Sequence, residues 1–359
     1  MRLYSQCLAE RRPRKAVAEV VKVLVGVNAQ LPSAMALSLR ARVEGLTLED
    51  IEASRVRDRS IVRTWCMRGT MHLLAADDLD WLLSALAPSV RESGLRWLAR
   101  RGGLEHTRAV QVLDAAHAIL KRQGPLTRPE LMEQMAVKFG NDIKSAAAGV
   151  VHLNGVLGRV CFGPMQRTDR TYVALDGWLG RKVSLSDQPD YIELARRYLS
   201  GYGPATPRDL AAWWGIGVTR AQSAWAQLQK ELVELRVQGE ATWLLASQSA
   251  LLSEVHPIRR VILLPAFDTY LLGYRDRDFA VPPKYQRRVF HGGEIVPVVL
   301  VDGCAAGTWR YETRGKQIRI TVTPFSSFRP EIRGLISEEA DDIGRFFGLT
   351  PTLTYNRST

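Results

Sequence analysis

The chain has 359 residues, 46% of them hydrophobic, with 49 Lys and Arg against 37 Asp and Glu. That length and apolar content exclude a disordered chain and suit two or more packed domains. The net charge of +12 draws the chain toward polyanions, above all nucleic acid, although 40 of the 49 cations are Arg, an excess that a GC-rich genome would also produce.

Other classes are excluded just as early. No run of about 20 uncharged apolar residues is present, so no membrane helix is expected. Met1 to Lys15 is charged and lacks the apolar core of a secretory signal, so a cytoplasmic protein is expected. Cys7, Cys66, Cys161 and Cys304 form no C-x-x-C pair and the six His lack zinc spacing. The cysteines read as reduced, mostly buried thiols, with no metal site. A P-loop, a G-x-S-x-G elbow and a dinucleotide fingerprint are all missing, so no nucleotide or other cofactor is expected.

In chain order, helices are predicted near 14–27, 33–42 and 48–56, followed by strands Ile61–Met67 and Met71–Ala75. Arg68-Gly69-Thr70 makes the turn between these strands. Asp77 begins another helix, with Trp81, Leu82 and Leu86 inward. Val110, Leu113 and Leu120 mark the next helix. Thr127 and Glu130 form a capping box for the helix after it. A further helix follows near Asp142 to Leu153, and strands around Leu157–Phe162 and Thr171–Leu175 close that segment.

The order then repeats. Tyr191, Leu194, Ala195 and Tyr198 line one helix face, and Gly203-Pro204 ends that helix. Thr206 caps a second helix with Pro207 at its first position. Thr219 caps a third, buried through Ala224, Trp225 and Leu228. Val233, Leu235 and Val237 alternate as a strand, Gly239-Glu240 turns, and Thr242–Leu245 returns. Three helices and a hairpin are the ingredients of a winged helix-turn-helix.

After Val261 the pattern becomes short strands, 260–265, 295–301, 307–312 and 317–322, with a closing helix Glu338–Phe347. The fold class is thus α+β: three tandem winged helices followed by a small β-rich C-terminal domain. The expected segments are 1–105, 106–186, 187–256 and 257–359, the first being the most divergent copy.

Three strings carry candidate chemistry. Asn28-Ala29-Gln30 reads on residue chemistry alone as a helix stop, because Asn tolerates a left-handed cap and Pro32 enforces a break. Arg63-Thr64-Trp65-Cys66-Met67-Arg68-Gly69-Thr70-Met71-His72 reads plainly as a basic hairpin. As a DNA contact it offers Arg63, Arg68 and His72. Asp268, in Phe267-Asp268-Thr269-Tyr270, reads as a turn residue or a site acid. After it, Arg275, Arg277, Lys284, Arg287, Arg288 and His291 form a basic loop able to contact phosphates.

Together these strings resemble the AlkZ-like DNA glycosylases, relatives of bacterial YcaQ. The match lies in Val25-Gly26-Val27-Asn28-Ala29-Gln30 before Pro32, in Met67-Arg68-Gly69-Thr70-Met71-His72, and in Leu264-Pro265-Ala266-Phe267-Asp268 through Arg277. The resemblance implies tandem winged helices with a C-terminal β domain. It implies excision of N7-alkylguanine from double-stranded DNA, interstrand cross-links included, in repair or in self-resistance to a genotoxin. Its catalytic tripeptide is Gln-x-Gln or Gln-x-Asp. Gln30 matches the second position; Asn28 departs at the first, keeping the amide but losing a methylene.

The reaction implied is monofunctional, since Lys is scarce and none sits in a Schiff-base motif. A monomer is expected. The alternative is a non-catalytic winged-helix DNA-binding protein, either a regulator or an adduct-sequestering resistance protein, because that fold most often serves transcription factors. An interaction scaffold with no DNA role stands as a third reading.

Overall fold

The computed structural model describes residues 1–102, 106–237, 239–254 and 259–357. It is a mixed α+β protein that divides into two compact units. One unit joins residues 1–51 to 195–359, and the other spans 52–194.

The 52–194 unit opens on an antiparallel hairpin. Strands Ile61–Trp65 and Met71–Ala75 pair from Ile61 opposite Ala75 to Trp65 opposite Met71. Its tip is a single 3-10 turn, Met67–Gly69, in which Arg68 takes φ 54°. Helices Leu79–Gly102 and His106–Gln123 follow. Helix Arg128–Phe139 starts on the expected capping box. The Thr127 side chain accepts from the Glu130 N–H, and the Glu130 carboxylate accepts from the Thr127 N–H at 2.7 Å. Helix Ala147–Val156 is preceded by the 3-10 segment Asn141–Ala146, so the helix expected near Asp142–Leu153 is split. Strands Val160–Gln166 and Asp169–Ala174 pair with a bulge, and Leu126–Thr127 adds a short third strand beside the latter. Leu113 and Leu120 are core, whereas Val110 is exposed.

In the other unit, helix Tyr191–Tyr202 is followed by helices Pro207–Trp214 and Val218–Gln227. A second capping box joins Thr206 to Asp209. The third helix is capped by Gly217 and not by Thr219, which lies within its first turn. Strands Leu232–Val237 and Glu240–Leu245 form the expected hairpin. The C-terminal part is a five-stranded sheet in the order 350–355, 317–324, 304–314, 298–301, 261–264. Helix Pro330–Phe347 packs on it and begins eight residues before Glu338, with Pro330 in its first turn. Strand Thr350–Tyr355 escapes the sequence reading because it pairs in parallel with a partner over 30 residues earlier, with no turn signal between them.

N-terminal residues complete this core: Leu8 and Ala41 pack with Ile262, Leu264, Tyr270, Val298 and Leu300. Charged pairs fix helix Pro32–Arg40 and the residues just after it. The guanidinium of Arg42 is wholly buried and grips Asp268 with two bonds of 2.8 Å. Arg40 reaches Glu339 at 2.6 Å and Asp342 at 2.9 Å. Burial pushes the Glu339 carboxyl upward, but Arg40 and Arg11 outweigh it and hold the group below its ordinary range. Breaking one partner of such a buried pair costs about 3–5 kcal/mol, because the other is left charged without water.

Candidate functional site

The loop carrying Asn28 and Gln30 is shaped by how helix Val17–Val23 ends. The left-handed residues are Val25 (φ 54°) and Gly26 (φ 113°), not Asn28. The helix stop expected at Asn28 therefore falls earlier, and a β-branched residue bears the strain. The turn is closed by N–H groups of Val25 and Gly26 donated to Lys22 and Val21 carbonyls, each at 3.0 Å. The chain then extends. Val25, Val27 and Ala29 are at most 1% exposed, Asn28 is 8% exposed and Gln30 is half-buried. Asn28 is thus buried at the end of strand Val27–Asn28, and Gln30 follows it in a bend.

The two amides play different parts. Asn28 Oδ1 accepts from the Gln30 N–H at 3.3 Å. The Gln30 side chain makes no hydrogen bond among the described residues. A half-buried amide with both ends open is placed to orient a water molecule or a ligand. Pro32 begins the next helix, whose far end carries the Arg40 and Arg42 anchors. The tripeptide thus lies between two fixed helix ends.

Asp268 is no site acid. It is buried, pairs with Arg42, accepts from Ser38 at 2.7 Å and caps helix Thr269–Leu272 through the Tyr270 N–H. The basic segment beyond it packs on its aromatics and exposes Arg275, Lys284, Arg287 and Arg288, while Arg277 is half-buried with its Nε donating to the Tyr274 carbonyl. Arg275 is exposed, with its backbone N–H on Asp209. Arg277 lies over Phe290 at 4.7 Å, Lys284 over Tyr285 at 4.8 Å, and Arg288 over Tyr285 at 5.5 Å. Arg287 and His291 are exposed. These residues occupy one short stretch of the same unit as Gln30.

The hairpin residues lie in the other unit, and two of the three expected to contact DNA are buried in it. Arg63 is 4% exposed, with its guanidinium over Phe162 at 4.5 Å. Burial lowers its pKa to about 10, with Arg170 and Arg55 adding to the effect. His72 is 3% exposed and its Nδ1 donates to the Thr70 carbonyl at 2.9 Å. Burial pushes its pKa down to about 4. Both side chains pack within the protein. Trp65 packs against the adjacent rings of Phe162 at 4.7 Å and Tyr172 at 6.2 Å, with His152 edge-on at 5.8 Å. Gly155 is required here, since a Cβ would meet the Trp65 ring at 2.1 Å. Arg68 is the exposed member of the three.

Cys7, Cys66 and Cys161 are buried thiols, while Cys304 is exposed. Burial raises Cys66 and Cys161 to about 12, which makes them inert. Among the described residues, no helix is long and apolar enough to cross a membrane, and no three His, Cys, Asp or Glu gather to hold a metal ion.

Known proteins share this architecture over almost its full length. A solved structure, Streptomyces sahachiroi DNA glycosylase AlkZ, superposes with a TM-score of 0.80 and 26% identity, covering 99% of this chain and 97% of that one. An interstrand DNA cross-link repair glycosylase of Streptomyces sahachiroi is 27% identical over 353 residues, 95% of this chain and 93% of the relative. The family described as DNA glycosylase AlkZ-like matches residues 21–346. The protein is therefore an enzyme of DNA repair, a hydrolase acting on N-glycosyl bonds. It belongs to the AlkZ-like DNA glycosylase family.

Proposed function

We propose that this enzyme hydrolyses the N-glycosidic bond of N7-alkylated guanine in duplex DNA, with bulky natural-product adducts and interstrand cross-links among its substrates. The cross-link repair activity for which the Streptomyces relative is named supports the cross-link reading. The observation that carries the proposal is the open, half-buried amide of Gln30, at the position of the family's catalytic tripeptide.

The chemistry suits an amide. N7-alkylation leaves a positive charge on the base, so its departure needs little acid assistance. Water adds at C1′ as the C1′–N9 bond breaks, and the bonding pair neutralises the departing ring. The Gln30 carbonyl accepts a hydrogen bond from that water and orients it, while solvent takes the proton. Such placement supplies catalysis without a strong base. Asn28 holds the Gln30 backbone and sets where the side chain starts.

Segments 106–186 and 187–256 act in this proposal as winged helices, with 1–105 a third, divergent copy and 257–359 the β-rich partner. Arg68, Arg275, Arg277, Lys284, Arg287 and Arg288 contact the phosphates; Arg63 and His72 support the hairpin beneath Arg68. The enzyme acts as a monomer in DNA repair or in self-resistance to a genotoxin.

The test is mass spectrometry of a duplex alkylated by a nitrogen mustard. Free alkylguanine should appear, leaving strands that break only after alkali. Tight binding to one operator with no base released from any alkylated duplex would point instead to a regulator.

A further inference from the structure

The loop bearing Gln30 is latched from behind by a residue distant in sequence. Tyr202 ends helix Tyr191–Tyr202 and is wholly buried. Its hydroxyl donates to the Leu24 carbonyl at 2.8 Å. Leu24 caps helix Val17–Val23, so this carbonyl lies in the last turn, where a partner must come from outside the helix. The phenol is thereby fixed as a donor.

Its ring has no freedom either. Tyr202 stacks on Tyr198 at 4.9 Å and 8°, and meets Trp213 at 5.0 Å. Its backbone carbonyl accepts from the Tyr274 hydroxyl at 2.8 Å. Next to it, Gly201 lets the two helices touch, since a Cβ there would lie 2.4 Å from the Val23 carbonyl oxygen. The bond falls one residue before the strained Val25. A left-handed valine persists only where its surroundings over-determine it.

We infer that Tyr202 is a positioning residue for excision: by holding the Leu24 carbonyl it keeps the Val25–Gly26 turn in its strained form and so aims the Gln30 amide. The inference rests on Gln30 as the water-orienting group. Tyr274, which steadies Tyr202, immediately precedes Arg275. The basic segment and the catalytic loop therefore share this support.

Tyr202→Phe removes one oxygen and keeps the stacking. The probe is a duplex with a single guanine alkylated by a nitrogen mustard, cleaved under single turnover with saturating enzyme. The rate should fall about tenfold, a fraction of the roughly hundredfold that a full 1 Å misplacement of a positioned group costs. The reaction should still run to full amplitude, with Kd for the duplex within about twofold of wild type. Amide hydrogen exchange across residues 25–30 should speed up. A wild-type rate, or reduced amplitude at a wild-type rate, or unchanged exchange overturns the inference. Gln30→Ala is run beside it. If Gln30→Ala is inactive while Tyr202→Phe is unaffected, the latch alone fails. Full activity in Gln30→Ala removes the loop assignment and the latch with it.

Discussion

The loop Asn28–Gln30 and the hairpin Arg63–His72 look alike as candidate sites and behave as opposites. The hairpin is the more distinctive string, yet it turns its Arg63 and His72 inward and uses its aromatic residue as a packing centre. The loop reads as an ordinary helix stop, yet it presents an open amide beside a strained turn. A distinctive string therefore marks either chemistry or a demanding fit. What separates them is whether the polar atoms face solvent or are satisfied within the protein.

Four measurements press on that contrast. Trp65→Ala should cost about 3–5 kcal/mol of stability, because the cavity left among Phe162, Tyr172 and Gly155 cannot collapse. Thermal unfolding reads the loss, while excision per folded molecule should stay near wild type if the hairpin is packing.

His72 should make stability depend on pH. Its pKa is lowered from 6.5 to about 4 by burial, so the fold favours the neutral ring. The contribution is whole above pH 6.5 and is lost as pH falls toward 4, by up to about 3 kcal/mol. Denaturant titrations of wild type and His72→Phe should diverge across that window. Parallel curves would mean that His72 charges freely in the fold.

Asn28→Gln restores the family's residue at that position. If Asn28 serves to clamp the Gln30 N–H, the longer side chain should lower the excision rate severalfold, about 1 kcal/mol. A faster enzyme would show that the first position acts on substrate.

Arg68→Gly separates contact from conformation. Relief of the left-handed φ should stabilise the hairpin by about 0.5–1 kcal/mol. Loss of a phosphate contact should lower the salt slope of DNA binding by about 1. An unaltered salt slope would remove Arg68 from the interface.

How much could be read in advance follows the range of the interactions. The capping box of Thr127 with Glu130 and the N-cap at Thr206 are legible because each acts across three residues, although the answering carboxylate of Asp209 escapes the sequence reading. The hairpin 232–245 is legible because alternation and turn lie side by side. The Arg42–Asp268 pair is not, since its partners lie 226 residues apart and Asp268 alone reads as a turn residue or a site acid. The turn at Val25 escapes for another reason. Valine is a poor left-handed residue, and the Tyr202 bond to Leu24 that supports the turn comes from far along the chain. As for the site, residue chemistry pointed away from Gln30; family resemblance pointed to it, and its open amide supports that choice.

The contrast between loop and hairpin comes down to one comparison: the single-turnover excision rate of Gln30→Ala on an N7-alkylated duplex, with its Kd for the same duplex. The rate should fall by about a hundredfold or more, the scale of a lost positioned group in the transition state, with affinity within about twofold of wild type. Wild-type excision by Gln30→Ala would contradict the assignment of catalysis to this loop.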